Sequence, residues 1–248
     1  MASALHQFEI EPILPFHIGS VDLSFTNSAM ALVIGLVLTV VFLGYGIRKR
    51  ALVPNRFQAA TEMSYEFVHT IVRENLGNAG MHYFPLIFSI FFTVLMGNAL
   101  GLVPHVFTAT SHIVVTGALA VMIFLMVVVL GIARHGTHFF SLFVPAGVPV
   151  LMLPLIVPLE VLSFVVRPIT LSVRLFANMM AGHVLLTVIA GFAVTFLSLG
   201  VMGGVFGILP TLFNVVLIGF ELVIAFLQAY VFTILCCIYL KDTVELAH

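Results

Sequence analysis

Apolar positions in this chain run on far longer than a soluble helix requires. A membrane-spanning helix needs about 20 mostly apolar residues, since each adds about 1.5 Å against a hydrocarbon core of about 30 Å. The first such run extends from Ser28 to Ile47 and stops at Arg48, Lys49 and Arg50. Residues Pro54 to Leu76 differ in kind: Gln58, Glu62, Glu66, His69 and Arg73 recur at helical spacing, with Phe57, Met63, Phe67, Val68 and Ile71 between them. That pattern predicts an amphipathic helix at the membrane interface or a solvated connector. Two more spans, Phe84 to Val103 and Ile113 to Ala133, form a hairpin whose short link holds Pro104, His105, Thr108 and His112. His135 to Pro149 reads as a loop or short interfacial piece.

From Val150 to Tyr239 the chain is almost wholly apolar, with Gly200, Gly203, Gly204 and Gly207 near its middle. A turn there, centred near 201 or 202, leaves two arms of roughly 35 to 50 residues, or about 50 to 75 Å of helix. Such arms exceed the bilayer and must be steeply tilted, kinked or broken, and Pro154, Pro158, Pro168 and Pro210 supply places for it. The expected fold is an all-α integral membrane protein with five crossings and an interfacial amphipathic helix, ending in a long, steeply tilted helical hairpin. It is a single membrane domain over 1–248: an outer-side segment 1–27, a first span 28–50, the amphipathic helix 54–76, a helical hairpin 84–133 and the long hairpin 148–241.

Composition agrees. Of the 248 residues 62% are hydrophobic and 8% charged, against about a quarter charged in a soluble domain, so lipid must be the solvent for much of the surface. A net charge of −1 gives no footing for nucleic acid. Cys236 and Cys237 are adjacent within an apolar run, which makes neither a disulfide framework nor a metal site, and no cofactor motif appears. The N-terminus lacks a basic region, and Glu9, Glu11, Pro12 and Pro15 interrupt it, so no cleaved signal peptide is expected. No internal repeat marks it as a duplicated transporter. The basic triplet at 48–50, Arg134, and the terminal Lys241, Asp242 and Glu245 belong on the cytoplasmic side, which places the N-terminus outside.

Ionisable residues inside the apolar arms carry the functional signal. Glu160, Arg167, Arg174 and Glu221 each cost about 2.5 to 3.5 kcal/mol at the bilayer centre, on the order of 10 together, which points to function. Arg167 and Arg174, seven apart, share a helix face; Glu160, Thr170 and Asn178 extend that polar track. His183 lies about 180° away. Glu221 and Gln228 are also seven apart. Across a hairpin, Arg174 with Gln228 and His183 with Glu221 fall at matching depths for one turn near 201 or 202. A histidine and a carboxylate at one level can exchange protons near neutral pH. An arginine cannot lose its proton, so Arg174 is a fixed charge that opposes a proton passing straight through. Glu160 then serves a second aqueous path toward the cytoplasm.

The stretch LSVRLFANMMAGH, Leu171 to His183, resembles the signature of subunit a of F-type ATP synthases. Pro168, Glu160, ELVIAFLQAYVFTILCCIYL from Glu221 and PLIFSIFFTVLMGNALGLVP from Pro85 fit the same family. The resemblance implies a non-catalytic stator subunit of a proton-translocating rotary ATP synthase in a bacterial inner membrane. It would work against a c-ring and with b-type peripheral stalk subunits, and carry two offset half-channels. By that resemblance Arg174 faces the ring carboxylate, Glu221 and His183 form the inlet pair, and Asn178 and Gln228 are polar positions near the arginine. Many bacterial members have an acid after the Ala-Gly dipeptide and a histidine on the last helix; here the two are exchanged, as in mitochondrial members.

Other readings stand beside these. Arg167 reads as a snorkelling side chain or lipid contact, and Glu160 equally as its ion-pair partner. Asn98 reads as a helix-packing hydrogen bond, and His135 with His138 is too sparse for a metal site. An intramembrane hydrolase would need Ser172 and His183 together, yet along a helix they are about 16 Å apart. A stand-alone channel or secondary transporter would need a complete pathway, including the carboxylate that Arg174 lacks here.

Overall fold

A computed structural model describes residues 12–15, 17–18, 21–22, 24–48, 51, 53–103, 108–144 and 149–244. Glu9, Glu11, Lys49, Arg50, Pro104, His105 and Glu245, used above for orientation or turns, lie outside the described residues. Six α-helices dominate: α1 (Asn27–Ile47), α2 (Arg56–Leu76), α3 (Phe84–Gly101), α4 (Ile113–His135), α5 (Leu153–Leu197) and α6 (Val201–Val244). Ahead of α1 two short antiparallel ladders pair β1 (Pro12–Leu14) with β4 (Phe25–Thr26) and β2 (His17–Ile18) with β3 (Val21–Asp22), a local arrangement that the sequence pattern does not reveal.

Among the described residues five helices are long and apolar enough to cross a membrane: Asn27–Ile47, Gly80–Gly101, Ile113–His135, Leu153–Leu197 and Gly203–Lys241. These are the five spans expected, and α2 is the amphipathic helix between the first two. Their surfaces are those of a lipid-solvated protein. Val40, Val41 and Leu36 on α1, and Leu209, Val215 and Val216 on α6, are all more than half exposed. Only helices or closed barrels keep every backbone group bonded in hydrocarbon.

The helix ends follow local chemistry. Asn55 Oδ1 accepts from Arg56 N at 2.7 Å and opens α2. Gly77, at φ 63, closes it, its N–H donating to Arg73 O. Gly136 (φ 55) turns the chain out of α4 into a 3-10 helix at Gly136–Phe143, which is the short piece expected there.

The long helical hairpin is present as expected and departs from expectation in the place of its turn. Both arms are continuous helices, of 45 and 44 residues, that run through Pro158 and Pro168 in α5 and Pro210 in α6, so of tilting, kinking or breaking the last does not occur. Pro154 falls in the first turn of α5, where its missing N–H has no intrahelical acceptor to lose. The turn lies at Ser198–Gly200 and not at 201 or 202. Gly200 adopts φ 84, which a side chain would oppose. Gly203 and Gly207 sit inside α6 and serve close packing: a Cβ at Gly203 would meet Phe196 O, and one at Gly207 would stand 3.3 Å from Leu197 Cγ. The glycine cluster therefore lets the second arm start against the first.

The chain divides into two compact units, one of Met1–Thr39, Thr93–His112 and Leu175–Ala229, the other of Val40–Phe92, Ile113–Arg174 and Tyr230–His248. Within the first, Gly35 admits Leu100 and Met96, and Asn98 Nδ2 donates to Ala225 O at 3.4 Å, the packing bond read from the sequence. The second is built on aromatic contacts: Phe67 with Phe91 and Tyr230, Tyr65 with Phe84, and Phe164 with Phe124 and Phe143. Cys236 and Cys237 are buried in it as packing residues.

In that second unit a Cβ at Gly46 would overlap the Thr61 side chain, whereas one at Gly44 meets nothing within 4 Å. Gly46→Leu is therefore expected to destabilise the protein by about 1–3 kcal/mol, and Gly44→Leu to be near neutral. Thermal unfolding of the two variants in detergent checks this.

Candidate functional site

α5 presents two unlike faces around Arg174. Leu171, Leu175 and Met179 are buried on one side. Thr170, Arg174, Ala177 and Asn178 are exposed on the other, among exposed Val166, Ile169 and Val173. Of the predicted polar track, Thr170, Arg174 and Asn178 thus lie along an exposed face of a helix whose surroundings there are apolar. Among the described residues no hydrogen bond or ion pair engages Arg174. Further back, Glu160 and Arg167 are half-buried. The Arg167 guanidinium lies over the Tyr239 ring, 5.8 Å from its centroid, and among the described residues Glu160 forms no ion pair, so the two do not pair with each other.

The remaining candidates meet inside the first unit. His183 is buried, as its helical phase requires, and its Nε2 lies 3.2 Å from Oγ1 of the fully buried Thr108. Glu221 stands against Gly182: a Cβ at residue 182 would occupy the place of its Oε1. With a side chain at residue 182, the flexible end of Glu221 would have to swing aside. His183 and Glu221 share a level in the hairpin but engage different neighbours, the one Thr108 and the other the backbone at Gly182.

Between the arms a cavity of about 210 Å³ is lined by Asn178, Gly182, Leu185, Leu217, Glu221 and Ile224, large enough for several waters. Asn178 Nδ2 donates to Gln228 Oε1 at 3.5 Å, and Gln228 is itself buried. One cavity wall thus runs from Glu221 to the amide pair one helical turn beyond Arg174 along α5.

Along α6, Asn214 Oδ1, Glu221 Oε2 and Gln228 Nε2 are buried without a hydrogen-bond partner among the described residues. A buried polar group left unmade is destabilising by about 1–3 kcal/mol, so each of these three would gain from a bound water. Asn214 is absent from the residues singled out by sequence. The signal was there, since Asn214, Glu221 and Gln228 form one seven-residue series on one helix face. An asparagine is easily passed over in a search for charges.

Two other chemistries find less footing. Ser172 Oγ lies 3.2 Å from Thr116 Oγ1, a helix-to-helix packing contact, and among the described residues no base is bonded to it that would make it a nucleophile. No three His, Cys, Asp or Glu side chains among the described residues are grouped to hold a metal ion.

Comparison with known proteins gives a consistent picture. The profile of the family described as ATP synthase A chain matches residues 28–241. The chain is 51% identical over 244 residues to "ATP synthase subunit a" of Mesorhizobium japonicum, covering 98% of this chain and 97% of the relative. It is 50% identical to the protein of the same name from a Chelativorans species, covering 98% of each. To that of Parvibaculum lavamentivorans it is 48% identical, covering 98% of this chain and 94% of the relative.

The contact of Gly182 with Glu221 yields a paired test. Gly182→Ala is expected to push the Glu221 carboxylate aside and leave stability within about 1 kcal/mol of the native protein, displacement offsetting the helix gain of alanine. In a Glu221→Ala background the same change should stabilise by about 1 kcal/mol, a coupling that a double-mutant cycle of thermal stability reads directly.

Proposed function

The chain belongs to the ATP synthase subunit a family, and from that premise we propose that it is the membrane stator through which a rotary ATP synthase passes protons, with Arg174 as the fixed charge between two offset half-channels. The observation that carries this reading is the placement of Arg174. It is a permanent cation on the outward, apolar face of α5, and nothing within the described chain neutralises it. Such a face fits a partner that brings its own carboxylate, the ring of c subunits. There the arginine keeps an arriving carboxylate ionised and bars a proton from crossing directly between the half-channels.

The inlet half-channel is the polar interior of the hairpin. A proton arriving from the outer side meets Asn214, the His183 and Glu221 level, and then the cavity that reaches Asn178 and Gln228. Histidine and carboxylate exchange protons near neutral pH, whereas the two amides can only relay through water or orient it. From there the proton loads the ring. After nearly a full rotation it leaves through a second path on the cytoplasmic side, where Glu160 stands two turns beyond Arg167. The membrane potential supplies about 2.3 kcal/mol per proton for each 100 mV.

In this reading the chain makes and breaks no covalent bond and holds no cofactor. Its partners are the c-ring, b-type peripheral stalk subunits and the surrounding lipid. The protein lies in a bacterial inner membrane, with the N-terminus periplasmic and the C-terminus cytoplasmic, because Arg48 and Arg134 follow outer-to-inner spans.

Arg174→Ala is expected to abolish ATP-driven proton pumping in membrane vesicles while the complex still assembles; retained pumping would remove the barrier role. Glu221→Gln should slow pumping about a hundredfold, the scale of a lost acid–base group, with Asn214→Leu intermediate. Arg167→Gln, which loses the cation–π contact with Tyr239, should slow it less than either, and a larger loss at Arg167 than at Glu221 would reverse the assignment of the inlet.

A further inference from the structure

We propose that the pocket where α1, α2 and α3 meet is a binding site for a phospholipid with a primary ammonium headgroup, of the phosphatidylethanolamine class. Its ammonium sits between Glu62 and Glu66, and the upper part of one chain lies against Leu43 and Phe88. The inference goes beyond the proton path and stands independently of it.

The pocket encloses about 720 Å³, within the range of about 300–1,000 Å³ that small-molecule sites occupy. All of its lining falls within the second compact unit. Its depth in the bilayer follows from the sequence. α1 is an apolar span that ends at Ile47 with exposed Arg48 next, and α2 is amphipathic. Where they meet is therefore the boundary between hydrocarbon and headgroups. Gly46 brings the two helices together there, since a Cβ on it would overlap the Thr61 side chain.

The wall of the pocket divides by chemistry. Leu43, Ile47, Phe88 and the Tyr65 ring offer apolar surface. Tyr65 is held in place by other rings, with Phe84 at 4.8 Å and Phe88 at 6.2 Å between centroids. Opposite in character, Gln58, Glu62 and Glu66 follow one another at four-residue spacing along α2. A site apolar in one part and acidic in another fits an amphiphile, whereas a bare metal ion would leave the apolar part wet.

The acidic part calls for a cation. Gln58 Nε2 gives its hydrogens to Ala51 O at 3.2 Å and to Glu62 Oε1 at 2.8 Å, so the amide has none left for a phosphate. Thr61 Oγ1 donates to Phe57 O at 3.0 Å. Among the described residues neither carboxylate is paired with a base. Two like charges one helical turn apart repel. A primary ammonium, with three hydrogens, bonds to both at once. A phosphoglycerol headgroup would instead bring a further negative charge to them. Arg48, just past Ile47, stands at the end of α1 where the phosphate of the ethanolamine lipid stays.

The test uses the whole synthase with Phe88 replaced by p-benzoylphenylalanine, which on illumination joins to whatever fills the pocket. If that replacement does not assemble, the same group in place of Leu43 serves. The complex is reconstituted in vesicles of phosphatidylethanolamine and phosphatidylglycerol in equal parts with the same chains, and the adduct on this chain is identified by mass. The ethanolamine lipid should exceed the glycerol lipid by about fivefold, the scale of one exposed ion pair. Glu62→Gln with Glu66→Gln should erase that preference, whereas Glu74→Gln, on α2 outside the pocket, should leave it intact. Vesicles in which the ethanolamine lipid is N-acetylated, so that the ammonium is lost, should give equal adducts. If the double variant does not assemble, the N-acetylated lipid makes the same test against the native carboxylates. Equal adducts of the two unmodified lipids, an excess of the glycerol lipid, no lipid adduct, or an adduct with a stalk polypeptide each overturns the proposal. A preference that survives loss of both carboxylates or of the ammonium, or that Glu74→Gln removes as well, overturns it too.

Discussion

A guanidinium keeps its proton at any pH a cell experiences, and lipid gives it nothing to bond to. An arginine on an apolar helix must therefore be supplied with water or a carboxylate from outside the helix. Arg174 stands on the outward face of α5, amid Val166, Ile169 and Val173, with no bonded partner among the described residues. The rest of the long hairpin is arranged around that unmet demand. The face carrying Arg174 is exposed and apolar, and the face behind it takes the packing. Polar side chains that would be destabilising in lipid are gathered between the arms.

That gathering depends on small residues. Gly182 leaves room for the Glu221 carboxylate, Gly101 for Thr108, and Gly203 and Gly207 for the two arms to start close together. Each glycine weakens its helix by about 1 kcal/mol relative to alanine, a modest cost beside that of leaving a carboxylate in hydrocarbon. The same close approach encloses the cavity beside Glu221 and carries the bond from Asn178 to Gln228. Helix packing and the placement of these polar groups are thus parts of one arrangement in this unit.

The spans were legible in the sequence because lipid imposes length and uniform apolarity together, and the opposite phases of Arg174 and His183 followed from 3.6 residues per turn. The turn at Ser198–Gly200 was harder to read, since glycines that permit helix contact look like glycines that make a turn. Side-chain partners were illegible where they depend on distant chain. Periodicity along α5 cannot show that His183 meets Thr108 or that Arg167 lies over Tyr239 instead of pairing with Glu160. Asn214 was missed for a different reason: its spacing to Glu221 was visible, but an amide carries no charge to attract notice.

The central claim is that the Arg174 face of α5 meets the rotating ring. A cysteine replacing Ala177, exposed beside Arg174, tests it in the assembled synthase against a second cysteine on the ring helix at the level of its carboxylate. Oxidation should join the two and stop ATP-driven pumping, and reduction should restore it. A link that forms from Met179→Cys on the buried face, with none from Ala177→Cys, would contradict the assignment.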